Sequence, residues 1–119
     1  MTSHIVRHWP ALIAGTASDN GTRAEVTHPG DGSVVGTYTI PDAASVEAAI
    51  EGAWQVRKQA QATTAAQRAA ALTHVSRRLE ERVDEVAALI TAENGKPITW
   101  SRAEATRAAS TFRWAAEEA

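Results

Sequence analysis

The spacing of hydrophobic and polar positions changes along the chain at about Pro41. Before it, short runs rich in Val, Thr and Gly alternate with turn residues, which is typical of strands. After it, apolar residues recur at every third or fourth position, which indicates helices. The pattern predicts an α/β segment with a strand and a β-hairpin in residues 1–41 and three helices in residues 42–119.

Three short strands are predicted in the first part of the chain. Residues 12–15 form the first, the polar residues 16–22 form a loop, and residues 23–28 and 33–40 form the other two. Between the last two lies Pro29-Gly30-Asp31-Gly32, where Pro fixes one φ and either Gly can take a positive φ. These residues predict the turn of a β-hairpin.

The second predicted helix has the clearest signals. Thr64 and Gln67 form a capping box at its start, and Asn94-Gly95 ends it, since Gly95 can adopt the left-handed conformation. Apolar residues recur along it at spacings of three and four: Leu72, Val75, Leu79, Val83, Val86 and Ile90.

The other two helices flank this one. The first runs from about residue 45 to residue 61 with Asp42 or Ser45 as its cap. The last begins near Thr99 or Ser101, with Ser101 and Glu104 as a second capping box. It reaches residue 119 without a stop signal, so we expect it to continue in a longer chain.

Composition predicts a thin hydrophobic core. Hydrophobic residues make up 44% of the 119 residues, but about half of them are Ala, and aromatic residues make up only 5%. Small side chains bury little apolar area. We therefore expect some apolar helix surface to pack against another segment or subunit.

Charge and cysteine content exclude several classes of function. Twelve basic against 14 acidic residues leave a net charge of -2, which gives no overall basic field for nucleic acid. Without Cys there is no disulfide, Cys-ligated metal or Cys nucleophile in these residues. No signal peptide and no apolar run of ~20 residues is found, which favours a cytoplasmic protein without a membrane partner.

Candidate catalytic and ligand residues are isolated in the sequence. His4 and His8 have the spacing of a helical zinc site but no third ligand, so an N-terminal arm is favoured. His74 has no partner that the sequence places beside it. Gly95-Lys96 lacks the other residues of a phosphate loop, and no Gly-rich dinucleotide motif follows a strand. The residues by themselves indicate no catalytic and no cofactor-binding site.

Short motifs nevertheless occur in a distinctive order along nearly the whole chain. They are Leu12-Ile13-Ala14-Gly15, Val26 with His28-Pro29, Gly32-x-Val34-Val35-Gly36, Val46-x-Ala48-Ala49-Ile50, Arg68-Ala69 with Leu72, Glu93-Asn94-Gly95-Lys96-Pro97, and Phe112-Arg113-Trp114-Ala115-Ala116-Glu117. This ordered set resembles the N-terminal region of the NAD(P)-dependent aldehyde dehydrogenase superfamily. The motif that closes the long helix is the most specific one. One departure is His28, where the family commonly has Asn.

The resemblance implies that residues 1–119 are an incomplete, N-terminal part of a Rossmann-like cofactor-binding domain. In the family, a Cys nucleophile, a Glu base, an Asn donor and NAD or NADP oxidise an aldehyde to a carboxylic acid. All of these protein groups lie C-terminal to this segment. The implied function is thus the N-terminal portion of such an enzyme, inactive alone and binding no cofactor itself. Its implied partner is the remainder of the chain or a complementary fragment, within a homo-oligomer.

The resemblance also implies one ligand pair, and one alternative function remains open. Some family members bind a structural monovalent cation through a backbone carbonyl matching Thr27 and a carboxylate matching Glu93, and oxygen ligands suit such a cation. Otherwise Glu93 faces solvent near the end of its helix. The alternative function is a free-standing helical interaction or dimerisation module that uses the same apolar helix faces.

Overall fold

The computed structural model describes residues 7–119, which form two compact units with a boundary between Gln61 and Ala62. His4 lies outside the described residues. The α/β class is confirmed. The strands are β1 (Arg7–Trp9), β2 (Ala11–Ile13), β3 (Thr16–Ser18), β4 (Gly21–Thr27) and β5 (Val34–Pro41). The helices are α1 (Ala43–Gln61), α2 (Ala65–Glu81), α3 (Val83–Asn94) and α4 (Ile98–Glu118).

The predicted β-hairpin of the first unit is confirmed. β4 and β5 pair antiparallel, and the turn between them is closed by backbone hydrogen bonds. His28 N–H donates to Ser33 O at 2.8 Å, and Gly32 N–H donates to His28 O at 2.9 Å. Gly32 has a φ of 73°, which is the positive value that the turn sequence predicts.

Two further strand pairings lie in segments that the sequence predicted to be an N-terminal arm and a loop. β1 pairs parallel with β5, giving the order β1-β5-β4, so the prediction of an N-terminal arm is wrong for His8. β2 pairs antiparallel with β3, so the predicted loop 16–22 begins with a strand. The turn between β2 and β3 is made by Ala14 and Gly15 with φ of 49° and 82°. Two-residue hairpin turns favour a positive φ at both turn residues, but Ala rarely adopts a positive φ. The sequence therefore gives no clear signal for this turn.

Two glycines allow close approaches within the first unit. A Cβ on Gly36 would lie 2.4 Å from a ring carbon of Trp9, so only glycine lets the Trp9 ring cover this position of the neighbouring strand. A Cβ on Gly52 in α1 would lie 2.8 Å from the Cβ of Ala14. Gly52 therefore lets the turn between β2 and β3 pack against α1. The predicted cap of α1 is also present, since Ser45 N–H donates to Asp42 Oδ1 at 2.8 Å.

The predicted second helix is two helices in the structure, so the prediction of three helices is wrong. Arg82 separates α2 from α3 with φ of -119° and ψ of 18°, and its N–H donates to Leu79 O. Asp84 and Glu85 lie in the first turn of α3, where negative charge favours a helix start, and the Arg82 guanidinium donates to Glu85 at 2.8 and 2.5 Å. The apolar spacing continues through the break, which conceals it in the sequence.

The capping residues predicted for the ends of these helices are present, with one exception. Thr64 and Gln67 form the capping box, and Gly95 ends α3 with a φ of 73°. The predicted box of Ser101 and Glu104 is wrong. α4 begins directly after Pro97, so Ser101 lies inside the helix, where it is fully buried.

Small residues fill the core of the second unit. Ser76 Oγ donates to the carbonyl oxygen of Ala109 at 2.8 Å, and the hydroxyl groups of Thr91 and Ser101 are 2.9 Å apart. These bonds satisfy polar groups that are buried between α2, α3 and α4. The buried side chains here are Ser76, Ala87, Ser101, Ala105 and Ala109. Side chains of this size allow the helices to approach closely, as the Ala-rich composition predicts.

Candidate functional site

The two residues predicted as cation ligands belong to different units. Thr27 is the last residue of β4 in the first unit. Glu93 is exposed near the end of α3 in the second unit. Among residues 7–119, no group of three or more His, Cys, Asp and Glu side chains could hold a metal ion.

The segment from Glu93 to Pro97 forms the corner between α3 and α4. Gly95 N–H donates to Thr91 O at 2.9 Å, and Lys96 N–H donates to Asn94 Oδ1 at 2.9 Å. The Lys96 ammonium pairs with Glu104 one turn and a half into α4, and this bond lowers the pKa of the Glu104 carboxyl. Lys96 thus ties the corner to α4, and its charge is used within the second unit.

A polar cluster in the first unit was not predicted from the sequence. His8 Nε2 lies 2.7 Å from Asp19 Oδ1, and His8 Nδ1 lies 2.8 Å from Thr37 Oγ1. Thr39 Oγ1 also donates to Asp19 Oδ1 at 2.8 Å, and Thr39 is buried. The cluster connects β1, β5 and the segment before β4. Its one signal in the sequence is the alternation Thr37-x-Thr39, which places both hydroxyl groups on one face of a strand.

The order Asp19, His8, Thr37 is that of a carboxylate, a base and a hydroxyl in a catalytic relay. Thr37, however, lies in the central strand β5, opposite His8 of β1 on one side and Glu25 of β4 on the other. The Thr37 hydroxyl is bonded to His8, and Thr39, the second hydroxyl on this face, is buried and bonded to Asp19. The cluster therefore acts as a clamp that fixes the position of β1 on the sheet.

Acid is expected to destabilise the first unit through this clamp. Hydrogen bonds from His8 and then Thr39 hold the pKa of Asp19 below its ordinary value. A carboxyl whose pKa is lower in the folded chain contributes stability that is present above its unfolded pKa of ~3.9 and is lost as the pH falls through the folded pKa. Urea titrations of the assembled enzyme at several pH values should show a weaker acid dependence of the free energy of unfolding for Asp19→Asn, and Glu47→Gln on α1 serves as the control. An unchanged acid dependence in Asp19→Asn contradicts the assignment.

The helix start that follows β5 carries a carboxylate where a phosphate group would bind. A phosphate would be held best where a strand leads into a helix N-terminus, as β5 leads into α1. At this helix start the Asp42 carboxylate accepts the N–H of Ser45, and the bonds from Ser45 lower the pKa of Asp42 so that it stays charged. A negative side chain therefore already occupies the Ser45 N–H, and its charge disfavours a phosphate at this helix start.

Charged side chains on the second unit pair mostly with one another. Arg78 and Glu81 are 2.5 Å apart, and Arg113 and Glu80 are also 2.5 Å apart. His74 is exposed on α2. These exposed pairs contribute little to stability. They partly offset the positive charges of Arg78 and Arg113.

Large apolar side chains lie exposed on both units. Leu12 is 74% exposed, Trp100 69% and Trp114 67%. On α1, Val46, Ile50 and Trp54 follow one another at intervals of four and form an uncovered apolar stripe on one face of the helix. Fully or nearly buried apolar side chains among the described residues are all alanines. Contiguous exposed apolar surface is typical of sites where a partner, a ligand or another segment binds. None of the helices in residues 7–119 is long and apolar enough to cross a membrane.

Comparisons with known sequences all indicate the same family. The aldehyde dehydrogenase family matches residues 16–119. Glutarate-semialdehyde dehydrogenase of Pseudomonas putida is 38% identical over 102 residues, which are 86% of this chain and 21% of that protein. The NADP(+) succinate-semialdehyde dehydrogenase GabD of Escherichia coli is 36% identical over 110 residues, which are 91% of this chain and 23% of GabD.

Solved structures give the same result. An NADP-dependent enzyme of Escherichia coli matches with a TM-score of 0.87 and 34% identity over 93% of this chain and 24% of that one. Aldehyde dehydrogenase 21 of Physcomitrella patens, solved with the product succinate, matches with a TM-score of 0.91 and 30% identity over 95% of this chain and 24% of that one. The chain thus spans only about a quarter of the length of these solved structures.

Proposed function

Because the chain belongs to the aldehyde dehydrogenase family, we propose that it is the N-terminal part of the cofactor-binding domain of an enzyme that oxidises an aldehyde to a carboxylic acid with NAD or NADP. The observation that carries this proposal is the family match over residues 16–119. The alignments with the Pseudomonas putida and Escherichia coli relatives cover only 21% and 23% of those proteins. Relatives named for NADP(+) and a structural relative solved with NAD both occur, so both cofactors fit the family.

The nucleophile, the general base and the cofactor contacts then come from the rest of the enzyme. The 119 residues contain no Cys, and the described helix start after β5 carries a carboxylate instead of phosphate-binding groups. The role of this chain is therefore structural. Its strands and helices complete the domain, and the exposed apolar side chains of α1 and α4 pack against the remainder of the chain, or a complementary fragment, in a cytoplasmic homo-oligomer.

Isolated, the 119-residue chain is expected to produce no NADH or NADPH from a short aldehyde. The same purified chain also distinguishes the alternative of a free-standing interaction module. Size-exclusion chromatography and circular dichroism should show a partly folded or associating chain, because its large apolar side chains are uncovered. A cooperative, defined oligomer would favour the interaction module, and aldehyde oxidation by the chain alone would contradict the proposal.

We also propose Thr27 and Glu93 as two oxygen ligands of a structural monovalent cation in the assembled enzyme, through the Thr27 carbonyl and the Glu93 carboxylate. An exposed glutamate near a helix C-terminus is slightly unfavourable with the helix dipole, and a bound cation would offset this. Replacing potassium chloride by choline chloride at equal ionic strength should lower the melting temperature of the assembled enzyme. Glu93→Gln should remove this cation effect and Glu117→Gln, another exposed glutamate, should keep it; equal responses contradict the site.

A further inference from the structure

The chain contains two Asn-Gly dipeptides, Asn20-Gly21 and Asn94-Gly95, and both Asn side chains are exposed. In such a dipeptide the backbone nitrogen of Gly can attack the side-chain carboxamide of Asn, because Gly has no Cβ to hinder the approach. We propose that Asn20 is a site of spontaneous deamidation in the folded chain, and that the fold protects Asn94 from the same reaction.

The reaction balances with water alone. A bond forms between the nitrogen of Gly21 and Cγ of Asn20, the bond from Cγ to the side-chain nitrogen breaks, and ammonia leaves with the proton of the Gly21 amide. The product is a cyclic succinimide. Water then opens the ring at either carbonyl and leaves an aspartate or an isoaspartate at position 20.

The attacking nitrogen of Gly21 is free of the sheet ladder. Asp42 N–H donates to Asn20 O at 3.2 Å, so this pair of positions is hydrogen-bonded across the hairpin. Opposed residues in an antiparallel ladder alternate between bonded and non-bonded pairs. The next pair, Gly21 opposite Pro41, is therefore non-bonded, and Pro41 has no N–H in any case. By this alternation the Gly21 amide makes no ladder bond to β5, and β4 is the end strand in the order β1-β5-β4 of the described sheet.

The carboxamide of Asn20 is also unrestrained. The hydrogen bonds of Asn20 within the described part of the chain use its backbone, since its N–H donates to Ser18 Oγ at 3.3 Å and its carbonyl accepts Asp42 N–H. Rotation of the side chain toward Gly21 therefore breaks no hydrogen bond of the fold.

Asn94-Gly95 differs from Asn20-Gly21 in the surroundings of both reacting groups, the Gly nitrogen and the Asn carboxamide. Gly95 N–H donates to Thr91 O at 2.9 Å and closes the end of α3, so the attacking nitrogen is held in the helix cap. The Asn94 carboxamide oxygen accepts Lys96 N–H at 2.9 Å. The bond from Lys96 polarises the carboxamide and by itself favours attack by the Gly95 nitrogen. The succinimide ring cannot close, however, until the hydrogen bond from Gly95 N–H to Thr91 O opens. The pairing of Lys96 with Glu104 holds the corner closed.

Deamidation at position 20 would act on the clamp beside it. Asp19 accepts hydrogen bonds from His8 and Thr39. A new carboxylate at the next residue places a like charge near Asp19, and isoaspartate lengthens the backbone between β3 and β4. The modified chain is therefore expected to hold β1 on the sheet less firmly.

The test incubates the assembled enzyme that contains these 119 residues at mildly alkaline pH and follows both dipeptides by peptide mass mapping, with isoaspartate detection. In buffer, Asn20 is expected to react at least about tenfold faster than Asn94, because Asn94 reacts only from a locally opened helix end. In concentrated urea the two rates should become similar. Asn20→Gln should remove the fast reaction and Asn94→Gln should leave it unchanged. Equal rates in buffer, a faster Asn94, or a ratio that urea leaves unchanged each overturn the proposal.

Discussion

Replacing Gly21 by alanine is expected to destabilise the first unit by more than about 3 kcal/mol. Gly21 has a φ of 143°, which L residues with a side chain rarely adopt. A Cβ at this position would lie 2.0 Å from Ile40 O and 3.0 Å from Asp42 N, and both atoms belong to the backbone. Backbone of a paired strand cannot move aside as a flexible side chain can, so the hairpin must separate at this end.

Gly32→Ala is the matched control for Gly21→Ala. Gly32 also has a positive φ, of 73°, but a Cβ there meets nothing within 4 Å. Only the left-handed strain remains, which costs about 1–2 kcal/mol. Urea unfolding of the assembled enzyme that carries each substitution, followed by circular dichroism, compares the two variants. A cost for Gly21→Ala no larger than that for Gly32→Ala would contradict the described contact with the backbone of β5.

Ala109→Leu is expected to destabilise the second unit by about 3 kcal/mol, because the core between its helices has no room for three more carbons. Ala109 is 1% exposed, and its carbonyl oxygen accepts the hydroxyl of Ser76 at 2.8 Å. A larger side chain must push α2 and α4 apart. This separation also stretches the bond between Ser76 and Ala109, which leaves a buried hydroxyl without its acceptor.

Ala103→Leu is the control for Ala109→Leu, since it makes the same change on an exposed position of the same helix. We expect it to change the free energy of unfolding by less than about 0.5 kcal/mol. Thermal unfolding of the assembled enzyme that carries each substitution measures the difference. Equal effects of the two substitutions would show that α4 is not packed through the face that contains Ala109.

The elements that local chemistry determines were predictable from the sequence. Pro29 to Gly32 specify the hairpin turn, Thr64 with Gln67 begins α2, and Gly95 ends α3, and each of these signals lies within a few residues. The exposed apolar faces also follow from the Ala-rich composition. The family was predicted from ordered motifs and is confirmed by the match over residues 16–119.

The features that depend on distant residues were not predictable. The pairing of β1 with β5 joins His8 to Thr37, 29 residues further along the chain, and no local pattern gives the register of a parallel pair. The clamp needs three segments to meet, so its residues look unrelated in the sequence. The break at Arg82 was hidden because the apolar spacing continues through it. The cation ligands Thr27 and Glu93 remain a prediction.

The central claim is that this chain can serve as the N-terminal part of an aldehyde dehydrogenase. The most direct test is a chimera in which residues 16–119 replace the matching segment of Escherichia coli GabD, assayed for succinate semialdehyde oxidation with NADP+. We expect a soluble chimera with kcat/KM within about tenfold of GabD, since the chain supplies packing and no reacting group. A control chimera carries the matching segment of the Pseudomonas putida relative. An inactive or insoluble chimera beside an active control would contradict the claim.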